Sequence, residues 1–170
     1  MKKSERTRRL IIEKAAALFN RKGYEGTSIS DIMEETGLSK GGIYGNFKTN
    51  DMDNSGVKEA IAVAAFDHAV AQVYSAVDER TKVIENTLDK LKSVVYFYRE
   101  RVLSPPVEGG CPIQNAAVDT DNSDSVLRKK VRSALDGWQR RIVRTLEKGM
   151  SMGEVRPDVN AEEFATLFIG

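Results

Sequence analysis

Apolar residues along this chain recur every three or four positions, and Ala, Leu, Glu, Lys and Arg, all good helix formers, fill the stretches between them. Over residues 5–22, Leu10 or Ile11, Ala15, Leu18 and Phe19 fall on one stripe. Gly23 follows where a helix that needs a left-handed residue stops. The segment TSISDIMEETG predicts a short second helix, with Thr27 as its expected N-cap and Asp31 in its early turns. Ile29, Ile32 and Met33 give that helix an apolar side, and Gly37 closes it. LSKGGIYGNFK predicts a third helix capped by Ser39. Two short helices joined by a brief turn containing Gly form a helix-turn-helix pattern.

Beyond this unit, residues 57–79 predict a long helix whose stripe runs through Val57, Ile61, Ala64 or Ala65, His68, Gln72 or Val73, and Val77. Residues 82–103 predict another, ending at Ser104-Pro105-Pro106. The stretch VEGGCPIQNAAVDTDNSD reads as a corner punctuated by Gly and Pro, with a short helix around residues 114–118. Residues 124–151 predict the longest helix, carrying Leu127, Val131, Leu135, Trp138, Ile142 and Leu146 on one face. Asn160 with Glu163 three residues on resembles a capping box before Phe164, Leu167 and Phe168. That last helix reaches Gly170 after barely three turns, so the chain is expected to be cut within it. The reading is all-α, with a helix-turn-helix domain over residues 1–48 and a helical body over 49–170.

Composition narrows the class. The 170 residues include 26 Lys+Arg against 25 Asp+Glu, with 41% apolar and 30% charged residues, the profile of a soluble globular protein and not of a disordered one. One Cys cannot build an internal disulfide framework, and one Cys with one His cannot fill the usual zinc site, so neither metal nor cofactor is expected. No apolar run is read as approaching the roughly 18 residues of a membrane helix. The basic start MKKSERTRRLII meets Glu13 and Lys14 too soon for a signal peptide, so a cytoplasmic location is expected. The near-neutral total hides a division. Residues 1–50 carry ten Lys/Arg against six Asp/Glu, and the remainder sixteen against nineteen. The basic end suits a polyanion.

A helix that enters a major groove about 12 Å wide needs small residues at the groove wall and polar tips at the bases. Ser39-Lys40-Gly41-Gly42 supplies a hydroxyl, a cation and two positions without side chains. Paired glycines weaken a helix by about 1 kcal/mol each relative to Ala, and they make sense where backbone must approach another surface. Tyr44 and Lys48 are placed to reach phosphates, and Thr27 and Ser28 sit at a helix N-terminus that favours a phosphate oxygen. Residues 2–9 are expected to act as a flexible arm along the backbone or in a minor groove.

The span from Arg6 to Lys48 resembles the DNA-binding domain of the TetR family of bacterial transcriptional regulators. The resemblance rests on Phe19, Gly23, Tyr24, Thr27, Ile32, Gly37, Ser39, Ile43-Tyr44 and Phe47-Lys48. In the body, GGCPIQNAAVDTD, the long Trp-bearing helix and GEVRPDVN resemble one subgroup of that family. The resemblance implies a homodimer with one recognition helix per protomer in successive major grooves of a double-stranded, palindromic operator. It implies that residues 49–170 dimerise and hold a small, mostly apolar effector that releases a repressor from DNA. Helices 124–151 and 160–170 would then form a four-helix seam. Ser28, Ser39, Lys40, Gly41, Gly42, Tyr44 and Lys48 become the DNA-facing positions. One departure is TNDMDNSGVKEA, longer and more polar than the family's usual link, in which Gly56 interrupts the next helix or the helix begins only at Ser55.

Plainer readings stand beside these. Phe19, Tyr24, Ile32, Ile43 and Phe47 suit a small three-helix core better than DNA contacts. Arg128, Lys129, Lys130, Arg132, Arg140, Arg141 and Arg144 suit a solvated face better than a second DNA site. Candidate effector contacts are His68, Tyr96, Tyr98, Cys111 and Trp138, each with ordinary packing as its alternative. Cys111, between two glycines and Pro112, also admits a thiol sensor of oxidants or electrophiles acting on the same DNA-binding end. A third reading is a helical protein-interaction module with a vestigial DNA domain. No phosphate-cradling loop or nucleophile elbow is present in the sequence, so no enzyme is expected.

Overall fold

The computed structural model describes residues 2–47, 54–121 and 125–170. Among them every regular element is an α-helix: α1 (Lys3–Lys22), α2 (Ile29–Thr36), α3 (Lys40–Phe47), α4 (Asn54–Thr81), α5 (Thr87–Glu100), α6 (Pro112–Thr120), α7 (Val126–Ser151) and α8 (Ala161–Ile169). Side-chain oxygens start most of them. Ser28, Asn86, Ser125 and Asn160 each accept from a backbone N–H of the first turn, and the Gly42 N–H donates to Ser39 Oγ at 3.2 Å. Gly23 and Gly37 end α1 and α2 at φ of 75° and 68°, where a side chain would be strained.

Two cores result, and α4 belongs to both. Ile11, Ala15 and Leu18 of α1 close on Ile32, Ile43 and Phe47 of α2 and α3, and Val57, Ile61 and Ala65 of α4 complete that core. Ala62, Phe66 and Val70, on another face of α4, enter a second core with Leu91, Ile113, Leu127, Val131, Trp138, Ile142 and Leu146. The expected division at 48/49 lies outside the described residues; among the described residues the two cores share α4. Gly149 lets α7 approach the start of α5 closely: a Cβ there would stand 2.7 Å from the Thr87 side chain.

Several expectations change. Ser28, not Thr27, caps α2, because Thr27 is fully buried and donates its hydroxyl to the Gly23 carbonyl at 2.8 Å. Residues 3–9 are helical and form no loose arm; the Glu5 carboxylate accepts from the Lys2 N–H at 2.9 Å and fixes the first turn. Helix α4 runs through Gly56 without a break. Helix α5 begins at Thr87, not at 82, where Asn86 caps it, and ends at Glu100. Gly56–Thr81 is long and apolar enough to span a membrane by length and composition, with a mean hydropathy of 1.4 over its best window, contrary to the sequence reading. Its apolar faces are occupied by the two cores.

Candidate nucleic-acid interface and effector cleft

Helix α3 is held from beneath and bare above. Ile43 and Phe47 are buried, whereas Ser39, Lys40, Gly41 and Gly45 are exposed. Gly41 has only Ser39 Oγ near the place of a Cβ, at 3.9 Å, and Gly45 has nothing within 4 Å. One turn apart, these glycines leave a strip of open backbone along the outer side of the helix. Lys40 stands beside the strip with Nζ 5.4 Å from the Tyr44 ring centroid. Gly42 and Tyr44 are half-buried, and Asn46 donates to the Gly42 carbonyl at 2.8 Å. Lys48 lies outside the described residues.

The N-terminal half of α1 braces this helix. The Arg8 guanidinium lies 3.9 Å from the Phe47 ring centroid and donates to the Asn46 carbonyl at 2.5 Å, near the C-terminus of α3 where a cation complements the helix dipole. At the start of α2, Ser28 and Asp31 bond reciprocally, with the Ser28 N–H 2.7 Å from Asp31 Oδ2 and the Asp31 N–H 3.1 Å from Ser28 Oγ. Lys22 Nζ sits 2.6 Å from the other carboxylate oxygen. Lys22 first, then the Ser28 donors, hold the Asp31 carboxyl well below the usual carboxylate range.

A cleft of about 720 Å³ opens in the body between α5, the loop before α6, α7 and α8. Tyr98, Cys111 and Trp138, three of the five candidate effector contacts, line it. The Tyr98 and Trp138 rings stack at 5.1 Å, and Phe97 meets Tyr98 edge-on at 5.3 Å. Burial chiefly raises the Tyr98 phenol above its ordinary value, so it stays a neutral donor. The other two candidates lie elsewhere. His68 is half-buried beside Arg8, Arg9 and Ile12, 3.5 Å from the Gln72 amide. Tyr96 is exposed, with the Arg99 guanidinium 4.9 Å from its ring centroid.

The cleft wall is also bonded to α1. Asn20, near the end of α1 and 8% exposed, donates to the carbonyls of Glu108 at 2.8 Å and Gly110 at 3.1 Å. The Asn115 amide reaches back to the Asn20 carbonyl and the Gly109 carbonyl, each at 2.9 Å. Arg21 pairs with Glu108 at 3.1 Å, and Asp119 accepts from the Tyr24 N–H. Phe19 and Tyr24 stack at 6.0 Å and line a small cavity shared with α4 and α6; Phe19 packs against both cores, whereas Tyr24, expected in the N-terminal core, packs against the body's core. Gly109 has φ 105°, and a Cβ on it would lie 2.8 Å from the Asn20 backbone. The approach of this loop to α1 therefore depends on glycine.

Sequence reasoning missed Gly45 on α3, Asn20 at the junction with the body, and Arg101, which also lines the cleft. The four-residue spacing of Gly41 and Gly45 was available as a signal. So was the placement of Arg101 on the stripe of Val94 and Phe97. Nothing local marks Asn20, whose partners lie 88 and 90 residues away.

Comparison with known proteins agrees with this geometry. Residues 11–51 match the family model described as bacterial regulatory proteins, tetR family, and residues 87–170 match a tetracyclin repressor-like C-terminal domain. The crystal structure of a TetR transcriptional regulator from Chloroflexus aurantiacus is 40% identical with a TM-score of 0.90, covering 99% of this chain and 81% of that one. A TetR-family regulator from Cytophaga hutchinsonii is 35% identical with a TM-score of 0.85, covering 99% and 80%. The uncharacterized HTH-type transcriptional regulator YfiR of Bacillus subtilis is 26% identical over 168 residues, 94% of this chain and 73% of its own length. With a glycine-faced third helix presented over a braced core, an all-helical body behind it and these matches at both ends, the chain belongs to the TetR family of helix-turn-helix transcriptional regulators.

Proposed function

We propose that this chain acts as a ligand-responsive repressor in the cytoplasm, binding a twofold-symmetric operator as a homodimer and releasing it when a small effector fills the cleft. The observation that carries the DNA-binding half is the outer face of α3, bare backbone at Gly41 and Gly45 flanked by Lys40 and Tyr44. Such a face admits close approach to the groove wall, with Ser39 and Lys40 as polar readers and Ser28, Tyr44 and Lys48 toward phosphates. Thr27 is left out of that set, since its hydroxyl is committed to Gly23. In each protomer α7 and α8 supply the dimer seam.

The effector reading rests on the cleft volume of about 720 Å³, within the range of small-molecule sites, and on Tyr98, Cys111 and Trp138 in its wall. The role is one of binding, with no catalytic step. An effector that prefers the conformer in which loop 108–110 has moved draws the population away from the DNA-bound form. The bonds from Asn20 to that loop couple the two halves.

Selection of DNA from a random-sequence library by the purified protein at two salt concentrations tests the DNA-binding half. The expected result is enrichment of a palindrome, weakened by higher salt and by Lys40→Ala. Weak, unselective binding at both salts would leave α3 without a role and overturn the reading.

A further inference from the structure

The most unusual group in the body is Arg101, the C-cap residue that follows α5. It is 6% exposed, lines the cleft, and has no carboxylate within ion-pair distance among the described residues. Its guanidinium lies 5.1 Å from the Tyr98 ring centroid, and Nη2 donates to the Gly110 carbonyl. Nη1 is buried with no hydrogen-bond partner among the described residues. A guanidinium keeps its charge at every pH a protein tolerates, and a buried charge without a counter-ion is costly unless a ligand supplies one. Among the described residues, the cleft lining contains no Asp or Glu. Gln114 and Tyr98 line the cleft with Arg101, and Val95, Trp138 and Phe168 contribute an apolar wall.

Resting on the cleft as the effector site, we infer that the effector is an anion, a carboxylate, sulfonate or phosphate on an apolar or aromatic body, with Arg101 as the residue that pairs with it. The planar fork of the guanidinium matches such a group, and the stacked Tyr98 and Trp138 rings suit the body. Pairing also has a consequence at the cleft wall. The Gly110 carbonyl accepts from Arg101 on one side and from Asn20 of α1 on the other. An anion that draws the guanidinium away from Gly110 changes the same carbonyl that holds α1.

The test uses two fluorescent probes of nearly equal shape, anilinonaphthalene sulfonate and its uncharged analogue phenylnaphthylamine. Emission from Trp138, the chain's single Trp, reports occupancy because that ring lines the cleft. The expected result is that the sulfonate binds about tenfold more tightly than the neutral amine, as a charge-assisted bond requires. Arg101→Met abolishes the preference while leaving the amine's affinity in place, and Arg101→Lys retains part of it. Should Arg101→Met melt at the assay temperature, the wild-type ratio and the Lys variant decide. Equal or weaker binding of the sulfonate by the wild type, with a Trp138 response to both probes, overturns the anionic effector and leaves the cleft as a ligand site. No Trp138 response to either probe removes the cleft reading, and this inference with it.

Discussion

Replacing Asn20 tests whether the body is bonded to α1 as described. The wild-type side chain donates to two carbonyls of loop 108–110, at 2.8 and 3.1 Å, and accepts from Asn115 at 3.0 Å. In Asn20→Ala the Glu108 carbonyl loses this donor, whereas Gly110 keeps Arg101 and Asn115 keeps the Asn20 and Gly109 carbonyls. Two donated bonds at about 1 kcal/mol each, with a further fraction for a half-buried carbonyl left without its partner, give a loss of about 2–3 kcal/mol. For a chain of this size that corresponds to a fall in Tm of roughly 5–10 °C. Asn20→Asp keeps the volume but turns a carboxylate toward two carbonyl oxygens, so its loss is expected to exceed that of Ala. Thermal unfolding followed by circular dichroism measures both, and operator binding by fluorescence anisotropy measures the coupling. DNA affinity at a temperature where the variants are folded is expected to stay near wild type, while release by a cleft ligand weakens. A fall in Tm below roughly 2 °C for both variants would refute the reasoning, because these bonds would then contribute nothing net to the fold.

Other consequences are equally specific. Gly109→Ala, at φ 105° with its new Cβ 2.8 Å from the Asn20 backbone, is expected to lose at least about 1–3 kcal/mol in chemical denaturation, and an unchanged midpoint would contradict the close approach. Gly45→Gln meets open space within the chain, so it is expected to keep or slightly raise Tm while lowering DNA affinity more than about tenfold, the pattern of a groove-facing position. Asp31 has a depressed pKa in the folded state, so its contribution is complete above the ordinary value of 3.8 and is lost as pH falls toward the folded value. Asp31→Asn should therefore flatten the loss of Tm with acidification below about pH 4, and parallel slopes in the two proteins would remove Asp31 from the account.

The N-terminal domain was legible because its signals are local. Caps such as Ser39 and breakers such as Gly23 and Gly37 act within a few residues, and the three-to-four spacing of Ile29, Ile32 and Met33 on α2 and of Ile43 and Phe47 on α3 already describes a core. Thr27 was misread because a hydroxyl at either of two adjacent positions can cap, and only packing assigns the burial. The body was harder for a geometric reason. Tyr96 and Tyr98 are two residues apart, about 200° around a helix, so one must face outward when the other faces in, and the sequence does not say which. His68 lay on the predicted stripe of α4, but that helix serves two cores, and its local neighbours could not tell which face His68 takes. Two of the basic residues on α7 take part in cross-helix pairs, Lys130 with Asp67 at 2.7 Å and Arg141 with Asp78. The bond from Asn20 to Gly110 joins segments 90 residues apart and that from Arg101 to Gly110 crosses an irregular loop, and no periodicity carries that information.

The most direct test of the whole account follows both ends of the molecule in one sample. The protein is bound to its selected operator carrying a red-emitting label, then titrated with anilinonaphthalene sulfonate while Trp138 emission and DNA anisotropy are read together. The two signals are expected to change over the same concentration range, and Asn20→Asp is expected to separate them. Saturation of Trp138 with the operator still fully bound to the wild-type protein would contradict it.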